Sequence, residues 1–246
     1  MLRTIYFLTA VVLHLFPASI TAQNTLLVRY YRPVTGWEGN DEPPPQYLLS
    51  CNTEKALFQV LSNAQTEEIN SLGGSFLEAS ENWIYTHLPS RQMIEYATSL
   101  QHTKYTIADS LHTIEWEILT ERRKLKGDII VSKARAYYRG RWYTAWFAPA
   151  IPMSHGPWKL GGLPGLILEA YDDERQVVFL FHSLVSAATR KITPPKTYDR
   201  LITPSTFLKI KERELRQFVE YAESKIRDCH PDLDILLQYS FWEDPP

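Results

Sequence analysis

Ser154 and His155 are chain neighbours, a hydroxyl beside an imidazole, the raw material of a nucleophile and its base. Adjacency does not place Oγ on the ring, and no Gly-x-Ser-x-Gly elbow surrounds the serine. Glu115 and Glu117 alternate along an extended run, an acid/base candidate pair or simply two solvated residues of one strand face. A hydrolase would need two of these four groups brought together in a cleft. The stretch from Gly156, GPWKLGGLPGLILEAYDDE, invites a different chemistry, a backbone cradle for phosphate. Such a cradle needs successive N–H donors, with Gly-Lys-Ser/Thr opening a helix. Here Lys159 precedes the glycines, Pro164 removes a donor, and Leu166–Leu168 continues as a strand, so phosphate binding is excluded.

Metal and cofactor chemistry find no foothold either. The seven histidines are scattered, with no His-Glu-x-x-His and no paired cysteines. His182 alternates with Leu180 and Leu184 and reads as a hydrogen-bonded core histidine. Asp172-Asp173-Glu174 reads as turn chemistry, with a weak calcium site as the alternative. No catalytic residue, metal ligand or cofactor is therefore assigned.

Binding is the remaining class. Tyr137 to Trp158 holds seven aromatic residues, among which Trp142 and Trp146 fall on one strand face and Tyr143 and Phe147 on the other. Cross-strand packing accounts for most of these rings. Trp158 differs because it sits in a loop. Trp146, Ser154, His155, Trp158, Lys159, Gly161, Gly162 and Pro164 form the candidate surface for an apolar ligand or a protein partner.

Positioning these residues falls to a chain of 246 residues, whose first 22 read as an export signal. Arg3 supplies the charge, Ile5–Phe16 the apolar stretch, and PASITA the small residues ending at Ala22. The apolar stretch is shorter than the ~20 residues of a membrane span. Losing Arg3 with this leader lowers Lys+Arg from 26 to 25, against 28 Asp+Glu. That balance excludes a nucleic-acid binder, whose affinity rests on neutralised phosphates. Residues 23–246 suit one domain. Cys51 and Cys229 are compatible with a disulfide in an oxidising compartment and equally with two free thiols.

The dominant period is two, the mark of strands. Strands are expected at Leu26–Arg32, Gln46–Cys51, Ala56–Leu61, Asn82–His87, Met93–Thr98, Lys104–Ser110, His112–Thr120, Asp128–Tyr138, Arg141–Phe147, Leu166–Tyr171 and Gln176–Val185. A short helix with capping-box spacing at Ser62 and Gln65 is expected to end at Gly73-Gly74; one longer helix from Leu57 is the alternative. Near the end Thr203 caps a helix with Pro204 in its first position. Its apolar stripe runs from Phe207 through Ile210, Leu215, Phe218 and Ala222 to Ile226. The fold expected is mainly β (α+β): a curved antiparallel sheet, with an open half-barrel as its candidate form, one face covered by the long C-terminal helix.

The run from Tyr137 to Glu174 resembles the GLPGLI family, exported proteins of Bacteroidetes, whose motif stands here as Gly162-Leu163-Pro164-Gly165-Leu166-Ile167. The match extends through Arg139-Gly140-Arg141, Ala145-Trp146-Phe147 and Gly156-Pro157-Trp158-Lys159. The resemblance implies a periplasmic or cell-envelope location and an association with outer-membrane TonB-dependent receptors. No catalytic residues travel with it. Members often carry a cysteine before the Lys-Ala pair, where this chain has Val131-Ser132-Lys133-Ala134, Ala150 stands where many carry an acid, and Leu160 replaces a common phenylalanine. The resulting expectation is a non-enzymatic binding or accessory module, with a hydrolase or a purely structural envelope protein as alternatives.

Overall fold

The computed structural model describes residues 25–33, 47–61, 82–187, 190–195 and 200–229, the helix side chains up to 226. The leader and the short helix expected after Ser62 lie outside these residues.

Alternating runs become strands β1 (Leu26–Tyr31), β2 (Tyr47–Cys51), β3 (Lys55–Val60), β4 (Trp83–His87), β5 (Gln92–Thr98) and β6 (Lys104–Ser110). They are followed by β7 (Glu117–Lys124), β8 (Ile130–Tyr138), β9 (Arg141–Ala148), β10 (Leu166–Asp172), β11 (Val178–Ser186) and the two-residue β12 (Leu201–Ile202). All twelve join one open sheet in the order β12-β6-β5-β4-β3-β2-β1-β11-β10-β9-β8-β7. Neighbours are antiparallel except β12, which runs parallel to β6. Two meanders meet where β1 pairs with β11, so Arg29 lies opposite Ser183. Arg139 and Gly140, both at positive φ (48° and 78°), form the tight turn between β8 and β9.

Two expectations need correction. Leu57 belongs to β3, which rules out the longer helix starting there. The strand expected from His112 begins only at Glu117. Residues 111–116 instead run without ladder partners, because Ile114 and Trp116 turn onto the core while Ile118 is 53% exposed.

One face of the sheet carries the main core. Val28 and Tyr30 of β1, Leu49 and Cys51 of β2, Phe58 of β3, Ile84 of β4, Met93 of β5 and Phe147 of β9 belong to a single cluster. Met153, Leu160 and Leu163 of the connection between β9 and β10 complete it. Their complete burial removes them from water at about 1.5–3 kcal/mol per large side chain. The Pro/Gly-rich connection thus sends part of its length into the core, while Pro149, Pro152, Gly162 and Pro164 stay exposed. On the opposite face Leu57, Trp83, Tyr85 and Tyr96 pack with Ile192, and Leu27, Leu48 and Leu61 form a smaller cluster. Cys51 is a free, buried thiol, its Sγ 3.8 Å from Met153 Sδ; burial pushes its pKa up to about 12.

The C-terminal helix α1 (Pro204–Cys229) starts as the sequence indicates, with Thr203 Oγ1 accepting from the Thr206 N–H at 3.3 Å. Phe207 and Ile210 pack against Tyr105 and Ile107 of β6. Buried Glu214 accepts the Gln101 N–H at 3.1 Å and ties the β5–β6 turn to the helix. Farther along, Phe218 and Tyr221 are more than 60% exposed, so α1 meets the sheet through its first half.

At Gly165 an added Cβ would lie 2.4 Å from the Ala148 carbonyl oxygen, which is backbone and cannot yield. At Gly162, φ is +85° and nothing lies within 4 Å. Gly165→Ala is expected to cost about 3 kcal/mol through overpacking. Gly162→Ala is expected to cost only about 1 kcal/mol through its left-handed backbone. Urea unfolding of the two variants checks the order, and equal losses would show that Gly165 is not sterically required.

Candidate functional site

Between β9 and β10 the chain leaves the sheet, crosses the core-bearing face and returns. Short backbone bonds hold it in shape: the Gly162 N–H donates to Ser154 O at 3.0 Å, Leu160 N–H to Pro157 O at 3.1 Å, and Ile167 N–H to His155 O at 3.0 Å. Three side chains fasten this loop and the strand it leads into to other parts of the chain. Trp116 Nε1 donates to the Gly161 carbonyl at 2.8 Å. Tyr30 hydroxyl, fully buried, donates to the Ile167 carbonyl at 2.7 Å. Lys159 Nζ reaches Glu95 Oε2 of β5 at 3.0 Å, with the lysine side chain only 5% exposed and the glutamate 17%. A charge that deep requires its partner, since an unpaired buried ion costs several kcal/mol.

Trp158 adopts φ +55°, a left-handed conformation unfavourable for a bulky residue by roughly 1–2 kcal/mol. Ring contacts oppose that cost: Tyr138 and Tyr143 lie 6.3 Å away by centroid, and Lys159 Nζ stands 5.4 Å over the indole. Strain of this kind gathers where a side chain must point somewhere particular. Here the indole stands between two recesses of about 190 Å³ each. Phe58, Ile84 and Trp158 line both. The first recess continues over Leu49 and Ala56 to a rim formed by Arg91, His112 and Thr113. The second ends against Glu95, Phe207 and Lys211.

Of the residues singled out in the sequence, Ser154, His155, Trp158, Lys159, Gly161 and Gly162 all line the first recess. Trp146 and Pro164 stand elsewhere. Pro164 is exposed on the loop. Trp146 faces the opposite side of the sheet, under the Arg123 guanidinium at 4.2 Å and with Lys133 at 6.0 Å. Arg123 in turn pairs with Glu169, whose pKa is raised because burial outweighs the nearby guanidinium. Glu95 and Trp116 were not singled out, yet they hold the loop. Glu95 had a readable mark: it shares a strand face with Met93 and Ala97, a lone carboxylate on an apolar side.

His155 is 3% exposed. One ring nitrogen bonds to the Asn52 backbone at the β2–β3 turn, while Nε2 has no hydrogen-bond partner. Ser154 Oγ therefore does not sit on Nε2, and Glu115 and Glu117 are exposed. The hydrolase constellation is not assembled here. Among the described residues no group of three or more His, Cys, Asp or Glu is placed to hold a metal ion.

Residues 89–169, about a third of the chain, match the model of a family described as "Protein of unknown function (Porph_ging)". That span runs from the turn before β5 to Glu169 of β10 and contains the whole loop. No curated protein matches the chain. Among solved structures, two crystal forms of PNGF-II each resemble it with a TM-score of 0.53 at 15% identity over 76% of this chain. The likeness concerns the fold, and the chain spans only 32% of PNGF-II. No helix among the described residues is long and apolar enough to cross a membrane.

Burial lowers the His155 pKa from 6.5 to about 4, against the weaker opposing effect of its bond to Asn52. Between those values the unfolded chain binds the extra proton and the native one does not. The imidazole's contribution to stability is thus complete above pH 6.5 and lost as pH falls toward 4, by up to about 3 kcal/mol. Urea midpoints for the wild type should fall across this window more steeply than those of His155→Gln. Parallel slopes would mean that the native imidazole takes up the proton freely.

Proposed function

We propose that this chain is an exported cell-envelope protein of the GLPGLI group and serves as a non-enzymatic binding module. Its sheet would act as an open half-barrel curved round the Pro/Gly loop. The observation that carries the reading is the pair of recesses meeting at Trp158, where the apolar Phe58 and Ile84 line both and a few polar groups complete each lining. That is the general build of a small-molecule site, apolar walls with a few placed polar groups. The loop residues spend strain and a buried ion pair on holding an aromatic ring between two spaces, a cost that packing alone does not require. Support for the curved form comes from the single core cluster, to which strands from both meanders and three loop residues contribute. The export reading rests on the order of charge, apolar stretch and small residues in the first 22 positions. The apolar ligand is favoured over a protein partner because the indole stands over recesses instead of projecting from the surface. Association with an outer-membrane TonB-dependent receptor system remains part of the proposal through the family resemblance alone.

A neutral apolar dye, N-phenyl-1-naphthylamine, is expected to bind the protein saturably with enhanced fluorescence. Ile84→Glu should weaken binding at least tenfold while the protein still unfolds cooperatively, and an undiminished signal in that variant would remove the cleft from consideration. Amino-terminal sequencing of protein recovered from the native cell envelope should begin at Gln23; retention of Met1 would sink the export reading.

A further inference from the structure

The two ends of the cleft differ in charge. No carboxylate lines the first recess, whereas Glu95 lines the second together with Lys211. Three basic side chains belong to the first recess besides the neutral His155, and two of them are already compensated. Lys159 pairs with Glu95 at 3.0 Å, and His112 Nε2 lies 3.3 Å from Asp109, which also accepts from Arg139 at 3.0 Å. Arg91 is the exception. Its Nη2 donates to the Leu111 carbonyl at 2.8 Å and to Thr113 Oγ1 at 3.2 Å, both neutral acceptors. Among the described residues it has no carboxylate partner, and Nε and Nη1 retain their N–H groups for a ligand.

Its placement is also constrained. Arg91 occupies the β4–β5 turn at φ +49°, a position where glycine or asparagine would be less strained. Two bonds from one guanidinium nitrogen to residues 111 and 113 hold the planar fork at the mouth of the recess. Deeper in, His155 is a buried imidazole lining the same space, with Nε2 lacking any hydrogen-bond partner. Buried polar atoms without partners are rare, and one at a recess wall points to a group not drawn from the protein itself.

Resting on the apolar-cleft reading, we infer that the ligand is an amphiphile with one carboxylate head, held by Arg91 at the rim, its chain lying over Ile84 and Phe58 toward Trp158. A single uncompensated cation suits a monoanion, and the planar fork suits a carboxylate. Because Ile84, Phe58 and Trp158 line both recesses, a chain has an apolar path from one to the other.

The test is titration calorimetry of the full mature chain with decanoate, 1-decanol and decyl phosphate, each below its aggregation concentration. Decanoate should bind at least tenfold more tightly than 1-decanol, and more tightly than decyl phosphate. Arg91→Gln should abolish the preference for the acid while leaving 1-decanol affinity unchanged, and Arg91→Lys should restore part of it. Equal affinity of wild type for decanoate and 1-decanol would overturn the head-group assignment and leave the apolar cleft standing. Tighter binding of decyl phosphate would replace carboxylate by phosphate and overturn the inference likewise. Absence of binding by decanoate, 1-decanol and the neutral naphthylamine together would bring down the cleft reading itself. The wild-type comparison decides the matter even where Arg91→Gln does not fold.

Discussion

Lys159 carries a positive charge to the apolar side of a broad sheet, where water is almost excluded from its side chain, and Glu95 meets it from β5. A buried ion pair seldom adds much net stability over apolar groups of the same shape. It does penalise every arrangement in which the two ends are apart. Since β5 lies six strands away from β10 in the sheet order, this bond fixes how the loop crosses the face. Trp116 then binds the loop's Gly161 carbonyl and Tyr30 the Ile167 carbonyl at the start of β10, and Met153, Leu160 and Leu163 enter the core between these ties. The strained Trp158 is the immediate neighbour of that lysine, so the indole between the recesses depends on the same pair.

The loop therefore has two sides. Its inner side is core, made of leucines and a methionine whose removal would leave the main cluster without a filling. Its outer side forms the wall of a cleft. One stretch of chain thus couples folding to the shape of the candidate site, and substitutions in it are expected to disturb both. Gly165 illustrates the folding half, pressed against the Ala148 carbonyl. Arg91 illustrates the other half, contributing a guanidinium to the mouth of the recess from a turn outside the loop.

Strand positions were legible because one period dominates: side chains alternating between two environments leave a mark in any antiparallel sheet with two distinct faces. The exception, His112–Trp116, alternates equally well, yet there the chain runs outside the ladder, with the Trp116 indole N–H on the Gly161 carbonyl. A long-range bond of this sort has no local trace. Six of the eight proposed binding residues gather at one recess because they are close in sequence and the loop is compact. Trp146 went to the other face for the reason that Trp142 did, strand parity, which was readable from the start. Partners drawn from afar, such as Glu95 for Lys159 and Asn52 for His155, depend on sheet order, and strand alternation does not encode which strands become neighbours.

The pairing of β1 with β11 joins residues 154 positions apart, as the Arg29–Ser183 contact shows. Loop closure over such a separation is entropically costly, and topologies rich in distant pairings fold slowly. During synthesis β1 and β2 can pair at once, but the other edge of β1 must wait until Ser186 has emerged. Until then Val28 and Tyr30 have no loop to bury them. The chain spends that interval as a half-built sheet with a sticky edge, the type of intermediate that calls on holding chaperones.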